Sequence, residues 1–264
     1  MEKMIDIQSQ VIENGKIIDR VGVTNLSYPI VVMDKKFGKQ HTIANIKMFV
    51  QLPGHFRGTH MSRFLEVLNR VGRTKITPSK INDILISIKQ ALKAKTAHIT
   101  LCFPYFIDKD APVSKAEGLR EYQCCFEGTH DEFDCAHFYL QVKVTVMNLC
   151  PCSKELSPGK SAHNQRSEVS VRIKCNRLIW IEDIVEMVES SASSPVYTIL
   201  KRSDEKAVMD KAHDNPKFVE DIVREIAHKL DATDGVFSYR VESENFESIH
   251  HHNVYACIEK DCIK

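Results

Sequence analysis

The sequence predicts an α+β protein in which an antiparallel sheet carries helices on one face. Apolar and polar residues alternate with a period of two in many stretches, which is typical of half-buried strands. Between pairs of such stretches, apolar residues recur at the i, i+3 and i+4 spacing of amphipathic helices. The same order of elements then repeats, so we expect two ββααββ modules. Strand pairs that flank helix pairs form a sheet with helices on one face.

The first module is predicted to span residues 20–135, after an irregular, polar N-terminal arm over residues 1–19. Its strands are expected near 21–34, 40–51, 97–107 and 119–127, with loops at 108–118 and 128–135. One face of the second strand carries Thr42, Ala44, Ile46, Met48 and Val50. The first helix is expected to be capped by Thr59 and to turn one side inward, with Met61, Phe64, Leu65 and Leu68. The second helix follows Pro78 and buries Ile81, Ile84, Leu85, Ile88 and Leu92.

The second module is predicted to span residues 136–264. Its strands are expected near 137–147, 167–175, 235–243 and 253–259, and its helices near 181–191 and 216–230. Asp214 and Asn215 are suited to cap the later helix, with Pro216 at its first position. The two modules share no clear residue-level repeat, so the duplication is one of pattern.

Composition excludes several classes of function. The chain has 264 residues, with 36 Lys and Arg, 35 Asp and Glu and a formal net charge of +1. That balance gives no electrostatic footprint for nucleic acid, and no apolar run approaches the ~18 residues of a membrane span. The first residues lack the apolar stretch of a signal peptide, and nine cysteines are an odd number. We therefore expect a cytoplasmic protein that binds neither nucleic acid nor membrane, with thiols rather than disulfides.

A polar loop between the strands at 137–147 and 167–175 is the strongest candidate for chemistry. It begins with Cys150-Pro151-Cys152-Ser153-Lys154-Glu155 and ends with His163-Asn164-Gln165-Arg166. Long loops inside compact domains are usually functional or disordered. A thiolate and an imidazole from one loop suit zinc, iron or manganese. The alternative is a redox-inert cysteine pair beside a surface histidine, and spacing alone favours neither.

Four further clusters carry side chains suited to a site. The stretch His55–Arg63 places histidines and arginines at a helix entry, which suits an anion but also fits a solvated basic surface. The stretch Leu200–Lys206 has the composition of an ordinary charged turn. Glu220 lies at the rim of its predicted helix's apolar stripe, where a carboxylate is either solvated or directed into a cleft between subunits. His250, His251 and His252 precede the last strand, where at most one or two of them can be ligands.

Long motifs in this chain closely resemble the type IB GTP cyclohydrolase I family. The motifs are Arg20–Leu26, Leu52–Phe64, Asn148–Glu155, Ala162–Arg166, Leu200–Lys206, Asn215–Asp221 and Glu244–His250. The resemblance runs from about residue 5 to residue 258. It implies a bimodular tunnelling fold and a homotetramer with active sites at subunit interfaces. It also implies the first step of folate-type pterin synthesis, in which GTP and water give 7,8-dihydroneopterin triphosphate and formate.

The resemblance also implies roles for individual residues. The ligands of a divalent metal, Zn, Mn or Fe(II), would be Cys150, His163, Glu205 and His250, with His251 the competing assignment for the last. Cys152 would be the second active-site thiol, and it joins His163 and Glu220 as the expected catalytic residues. The second module, residues 136–264, would thus carry most of the metal-binding and catalytic residues. The remaining cysteines match no family role, and most are expected to be small core residues: Cys102, Cys124, Cys125, Cys135, Cys175, Cys257 and Cys262.

The substrate would be held by a carboxylate at the guanine and by cations at the triphosphate. Guanine presents N1–H and a 2-amino group as two donors, and Glu220 can accept from both, which would reject adenine. The candidate triphosphate ligands are His60, Arg63, Lys154, Arg166, Lys201 and Arg202. Two alternatives remain open from the sequence. One is an archaeal-type enzyme that makes the 2′,3′-cyclic phosphate of dihydroneopterin, and the other is a non-catalytic module that binds a purine or pterin.

Overall fold

The computed structural model describes residues 7–8, 10–13, 15–71 and 75–261. Its contacts divide the chain into two compact units, which are described separately. The first comprises Met1–Phe103 with Cys125–Tyr139, and the second comprises Pro104–Cys124 with Leu140–Lys264. The predicted module boundary between residues 135 and 136 thus falls inside the first unit.

The described residues of the first unit form a sheet and two α-helices. Its elements are β1 (Ile18–Val32), β2 (Gln40–Leu52), α1 (Ser62–Val71), β3 (Lys75–Ile76), α2 (Pro78–Leu92) and parts of β4 (Ala97–Asp108), β5 (Leu119–His130) and β6 (Ala136–Leu149). The strand order is β3-β1-β2-β4-β5-β6. β2 is antiparallel to both β1 and β4, whereas the short β3 pairs parallel with β1.

Apolar alternation decides which faces of the first unit are buried. The predicted inner face of β2 is confirmed from Ala44 to Val50, where every second residue is at most 1% exposed. The predicted stripe of α2 is buried at Ile81, Ile84, Leu85 and Ile88. This helix begins where expected because Thr77 accepts a hydrogen bond from the Lys80 N–H (3.2 Å) and Pro78 occupies the first turn. A Cβ at Gly128 of β5 would lie 2.5 Å from Ile81 Cγ2, so the helix packs closely on this strand.

Two predictions for the first unit are wrong in detail. α1 begins at Ser62, so Thr59 lies outside it, and Met61 and Leu65 are exposed while Phe64 and Leu68 are buried. The predicted loop at 128–135 begins three residues too early, because β5 continues to His130. α2 contacts the end of this strand, where the Lys89 ammonium lies 3.0 Å from His130 Nδ1.

The described part of the N-terminal arm pairs with the chain just before α1. Val11 forms a bridge with Phe56, and the Ile12 N–H donates to the His55 carbonyl (3.1 Å). The Arg57 N–H donates in turn to the Gln10 carbonyl (3.0 Å). The predicted arm is therefore partly paired, and β1 starts at Ile18, inside it. Residues 1–6, 9 and 14 of the predicted arm lie outside the described residues.

The second unit carries helices α3 to α6 beside its own sheet. Besides its parts of β4, β5 and β6, its elements are α3 (Pro151–Leu156), β7 (Asn164–Cys175), α4 (Ile181–Ser191), β8 (Ser194–Pro195), α5 (Arg202–Asp214), α6 (Val219–Asp231), β9 (Val236–Asn245) and β10 (Val254–Lys260). The strand order is β10-β9-β7-β6-β5-β4, and β8 pairs with β6. None of the helices in the described part of the chain is long and apolar enough to span a membrane.

The predicted inward faces of the second unit are confirmed. Leu140, Val142, Val144 and Val146 of β6 and Val169, Val171 and Ile173 of β7 are all buried. The stripes of α4 and α6 are buried as well, at Ile181, Ile184, Val185, Val188, Val219, Ile222, Val223, Ile226 and Leu230. Phe218 was expected to belong to this stripe, but it precedes α6 and is 40% exposed.

The structure adds a helix that the sequence pattern does not predict. α5 occupies most of the stretch that was expected to be a charged turn, and Asn215 ends it by capping its C-terminus. Pro216 therefore lies in the connection between two helices, and α6 starts later than predicted, at Val219. The Asp221 carboxylate accepts the Phe218 N–H (2.9 Å) at this start. Only Asp204 and Ala212 of α5 are buried, so the sequence of α5 has no apolar stripe from which the helix could be predicted.

Several cysteines depart from the expectation of buried, unpaired thiols. Cys102 of β4 and Cys125 of β5 form a disulfide between neighbouring strands, so the prediction of thiols alone is wrong for this pair. Cys124 is buried, as expected of a core residue, but Cys135 and Cys257 are exposed. Burial raises the pKa of the Cys124 thiol, and the Glu182 charge adds to the effect. Cys262 lies outside the described residues.

Candidate active site

The candidate site lies at one edge of the second unit's sheet, where β6 and β9 end and β7 begins. β9, β7 and β6 are adjacent in the sheet. Cys150 directly follows β6, His163 directly precedes β7, and Glu247 comes two residues after β9. The Cys150 N–H donates to the His163 carbonyl (3.1 Å), and the Phe246 N–H donates to the Arg166 carbonyl (2.9 Å). Residues that are far apart in sequence therefore meet because their strands are neighbours.

A cleft of about 250 Å³, here called the narrow cleft, opens at these strand ends. Its lining residues are Cys150, His163, Gln165, Lys217, Phe218, Val219, Glu220, Asn245, Glu247, His250, His252 and Val254. It thus contains three of the four expected metal ligands and the expected guanine anchor. His251, the competing assignment for the last ligand, does not line this cleft, whereas His250 does.

Local structure fixes the two thiols differently. Cys150 is the N-cap of α3, and its Sγ accepts the Ser153 N–H at 3.5 Å. Pro151 occupies the first position of that short helix, and Cys152 follows on an exposed surface. Cys152 is not among the residues that line the narrow cleft. Cys150 therefore lines the narrow cleft without Cys152, and the divergence of the two thiols stays a prediction from the fixed φ of the proline between them.

His163 contacts a glutamine and a carboxylate inside the narrow cleft. Its Nδ1 lies 3.0 Å from Gln165 Oε1 and 3.9 Å from Glu247 Oε2. The Gln165 Nε2 donates to Glu247 Oε1 at 3.4 Å. Glu247 is a further candidate that the sequence reasoning did not single out, although it lies in a motif that carried the resemblance. Its side chain is only 7% exposed, and carboxylates are seldom buried without partners, which Gln165 and His163 provide here.

A second cleft, here called the wide cleft, has a volume of about 460 Å³ and lies beside the first. Its lining residues are Met147, Asn164, Gln165, Arg166, Pro195, Val196, Tyr197, Leu200, Glu205, Val208 and Met209. Gln165 lines both clefts. Glu205, the fourth expected ligand, and Arg166, an expected phosphate ligand, therefore face the wide cleft.

The start of α5, which carries Glu205, is fixed by the neighbouring Asp204. This carboxylate is fully buried and accepts hydrogen bonds from the N–H groups of Val113 (2.8 Å), Ser114 (2.7 Å) and Lys201 (2.8 Å). The Ser114 hydroxyl adds another at 2.6 Å. Burial alone would raise the pKa of Asp204, but these hydrogen bonds outweigh burial and hold the pKa well below its usual range.

One wall of the wide cleft is supported by a buried ionic cluster. The Glu189 carboxylate of α4 pairs with Lys109 and with Arg120 (3.4 Å), and it accepts the Tyr122 hydroxyl (3.0 Å). The Lys109 ammonium lies 4.8 Å from the centre of the Tyr197 ring, which faces the cleft. Burial lowers the pKa of Lys109 and raises that of Tyr197.

The expected triphosphate ligands are spread over several surfaces. Lys201 is the N-cap of α5 and Arg202 its first residue, and both are exposed. The Lys154 ammonium donates to the His213 carbonyl at 2.5 Å. His60 and Arg63 belong to the first unit, where Arg63 Nη1 donates to the Ala91 carbonyl near the end of α2 (3.0 Å).

Three of the expected metal donors share a cleft without forming a ligand cluster. Within the part of the chain that the structure describes, no three His, Cys, Asp or Glu side chains are grouped closely enough to hold a metal ion. The donor types present, a thiolate, imidazoles and a nearby carboxylate, are those that zinc and iron accept. The chemistry of the residues therefore fits a divalent ion, and the four-ligand set stays a prediction.

Comparison with known proteins identifies the family. The family model described as type I GTP cyclohydrolase folE2 matches residues 4–256. The chain belongs to this family. It is 50% identical over 261 residues to GTP cyclohydrolase FolE2 of Thermosipho africanus, covering 99% of this chain and 100% of that one. It is 54% identical over 245 residues to GTP cyclohydrolase FolE2 of Geobacter sulfurreducens, covering 92% and 93%.

The FolE2 family assignment agrees with the fold. Urate oxidase from Bacillus sp. TB-90 superposes with a TM-score of 0.52 at 8% identity, covering 92% of this chain and 99% of that one. At this identity the likeness concerns the fold alone. It confirms the prediction of a bimodular tunnelling fold, with its large antiparallel sheet and few helices.

Proposed function

We propose that this chain is a type IB GTP cyclohydrolase I that converts GTP and water to 7,8-dihydroneopterin triphosphate and formate, the first step of folate-type pterin synthesis. The observation that carries the proposal is the narrow cleft. It contains Cys150, His163, Glu220 and His250 in one space, although they come from four separate segments of the chain. Family membership over residues 4–256 supplies the reaction class.

Cys150, His163, Glu205 and His250 are proposed to hold a divalent metal ion, Zn, Mn or Fe(II). Three of them line the narrow cleft, and Glu205 lines the wide cleft that shares Gln165 with it. When bound there, the ion would supply the Lewis acidity that activates water for addition to guanine C8. Gln165 and Glu247 both contact the His163 Nδ1 side, so they would orient the imidazole and leave Nε2 for the ion.

Glu220 is proposed to bind the guanine edge. It lies in the first turn of α6 and lines the narrow cleft. Its two carboxylate oxygens can accept N1–H and the 2-amino group together, and adenine lacks that pair of donors. The positive end of the α6 macrodipole favours a carboxylate at this position.

Opening of the imidazole ring requires proton transfer to its nitrogens. Cys152 is proposed to hold and return these protons, because a thiol can act as a general acid and base. His163 is proposed to act in catalysis by holding the ion. Cys152 is exposed on α3, two residues after Cys150. Its surface position lets it contact substrate from outside the narrow cleft.

The triphosphate is proposed to lie along cationic side chains at the clefts' margin. Arg166 lines the wide cleft, and Lys201 and Arg202 begin the helix that carries Glu205. Lys154 is proposed to complete this set, and His60 and Arg63, which belong to the first unit, stay predicted triphosphate ligands. We also propose a cytoplasmic homotetramer with active sites at subunit interfaces. In its support, β10 is an end strand of the described sheet, and sheet edges are commonly covered by partners.

The test is an anaerobic assay of GTP turnover with Zn²⁺, Mn²⁺ or Fe²⁺, in which formate is quantified and the product mass is measured. We expect formate and a linear triphosphate.

Cys150→Ala and His163→Ala are each expected to fold and to lose tight metal binding. Cys135→Ala is the control and should retain tight metal binding, because it replaces an exposed thiol of the first unit. A folded protein without formate release would reject the activity, and a product of cyclic-phosphate mass would reject the proposed product. Full metal occupancy in both site variants would reject the ligand assignment.

A further inference from the structure

Three polar side chains are buried together beneath the narrow cleft. Asn148, Ser167 and Asn245, here called the strand-end triad, are 0%, 0% and 3% exposed. Asn148 Nδ2 donates to Ser167 Oγ (2.6 Å) and to Asn245 Oδ1 (3.1 Å). The Ser167 hydroxyl also donates to Asn245 Oδ1 (2.5 Å). Each member therefore contacts both others, and together they cross-link β6, β7 and β9.

The triad is placed at the points where those strands pass into the site. Asn148 lies two residues before Cys150, Ser167 two residues after Gln165, and Asn245 two residues before Glu247. Asn245 itself lines the narrow cleft. Ser167 and Asn245 are also register partners in the β7–β9 ladder. Movement at any one strand end would therefore shift a residue of the cleft.

Stability alone does not account for this arrangement. Burying polar side chains is unfavourable unless their hydrogen bonds are complete, and Asn148 Oδ1 has no hydrogen-bond partner among the described residues. Apolar side chains of similar size would fill the space without an unpaired acceptor, and replacing both partners of a buried hydrogen bond by apolar groups of the same shape can be nearly neutral or stabilising. Directional hydrogen bonds provide what apolar packing does not, namely one defined relative placement of three strand ends.

We propose that Asn148, Ser167 and Asn245 are positioning residues that hold the Cys150, His163 and Glu247 segments in the one arrangement that binds metal and turns over substrate. This inference rests on the proposed function for the identity of the metal ligands. Asn148 and Ser167 line neither cleft, so these two members cannot contact metal or substrate directly. The triad acts through the backbone bonds from Cys150 to His163 and from Phe246 to Arg166.

The chain offers a matched pair of variants for the test. Ser167→Ala removes one hydroxyl from the triad. Ser243→Ala removes an equally buried hydroxyl from the neighbouring β9, and that hydroxyl has no hydrogen-bond partner among the described residues. In the register, Ser243 pairs with Val169 and Asn245 pairs with Ser167, so the two serines lie at adjacent inward-facing positions of the same ladder. Both variants delete one buried hydroxyl from the same ladder, and they differ in that only the Ser167 hydroxyl belongs to the triad.

Two readouts separate positioning from simple stability. The first is the affinity of the folded, metal-depleted full-length chain for Zn²⁺, measured by chelator competition, with kcat and KM for GTP after loading. The second needs no metal. It is amide hydrogen exchange at Cys150 and Phe246, normalised to the Val171 amide within β7. Loss of a supporting contact around a metal site typically costs 10–100-fold in affinity or activity.

We expect Ser167→Ala to weaken zinc binding by about 10-fold or more and to lower kcat with little change in KM. Protection of the Cys150 and Phe246 amides should fall by at least about tenfold, in keeping with one lost buried hydrogen bond. Ser243→Ala should match the unsubstituted protein in every readout. Asn148→Ala, which removes two of the triad's hydrogen bonds, serves as the second variant if Ser167→Ala does not fold.

Equal behaviour of Ser167→Ala and Ser243→Ala in both readouts would overturn the inference. If the unsubstituted protein bound no zinc through Cys150, the metal assignment would fail. The exchange readout would still decide about the triad, since it is measured on the metal-free chain. Loss of exchange protection that is uniform across the second unit would likewise overturn the inference, because it would indicate a purely global role.

Discussion

Replacing Glu189 by Gln removes the only carboxylate of the described ionic cluster behind the wide cleft while keeping its size and a hydrogen-bond acceptor. Two cations face this carboxylate, Lys109 and Arg120. The side chains are 14% exposed for Glu189, 14% for Lys109 and 9% for Arg120. The substitution therefore leaves two largely buried positive charges without their counter-charge.

The expected loss of stability follows from that geometry. Removing one partner of a buried ion pair destabilises by about 3–5 kcal/mol, because the other charge stays buried and unpaired. Residual exposure and the Arg120 bonds to the Val196 and Thr145 carbonyls place our expectation at the lower end, at about 3 kcal/mol. Glu186→Gln, at an exposed position of the same helix, is the control and should change stability by less than about 0.5 kcal/mol.

The loss of folding stability in Glu189→Gln should also depend on pH, becoming smaller as the pH rises. Burial lowers the pKa of Lys109 below its usual 10.5, and Glu189 partly opposes that shift. Without Glu189 the folded-state pKa of Lys109 falls further. A lysine whose folded pKa is lowered binds more protons when unfolded, so stability rises with pH between the folded pKa and 10.5. In the variant this rise in stability begins at a lower pH. The difference in stability between the variant and the unsubstituted protein should therefore shrink as pH increases.

The assay is urea unfolding of both variants and the unsubstituted chain at several values between about pH 6 and 9.5, below the usual tyrosine range. A deficit for Glu189→Gln no larger than that of Glu186→Gln would refute the account of the cluster. A deficit that stayed constant or grew with pH would refute the role assigned to Lys109. GTP turnover should fall as well, because Tyr197 and Val196 line the wide cleft and contact this cluster.

Three further outcomes test the proposed function. Glu220→Ala should weaken GTP binding and leave metal content unchanged, as measured by calorimetry and elemental analysis; unchanged GTP affinity would mean that another group binds guanine. Cys152→Ala should keep metal and GTP but lose formate release by about 10²-fold or more; loss of its metal, or normal turnover, would contradict a role in proton transfer. Light scattering should give a homotetramer, and a fully active monomer would contradict sites at subunit interfaces.

The sequence predicts those parts of the fold in which burial and period coincide. β2, β6 and β7 alternate cleanly because one face packs inward, and α2 shows its stripe for the same reason. α5 is not predicted from the sequence, because its buried residues are a carboxylate and an alanine and do not form an apolar stripe. Its position is set by tertiary hydrogen bonds from Ser114 to Asp204, and no local pattern contains that information.

The cysteines show a second limit of sequence reasoning. Cys102 and Cys125 are 23 positions apart, and their pairing depends on β4 and β5 being neighbours in the sheet. The odd number of cysteines and the expected compartment both argued against disulfides. Neither argument concerns the distance between two particular thiols. Strand adjacency is a tertiary property, so this pair could not be chosen from nine cysteines by spacing.

The candidate site is predictable to the extent that its residues share a loop. Cys150 and His163 were expected together because one connection carries both, and the structure places them in one cleft. Glu247 and His250 join them because β9 pairs with β7 in a register that places Asn245 opposite Ser167. A slip of one residue would turn Asn245 to the opposite face and move it away from Asn148. The hydrogen bonds that exclude this slip are buried below the cleft, so the geometry of the site depends on residues that no motif of catalytic side chains would include.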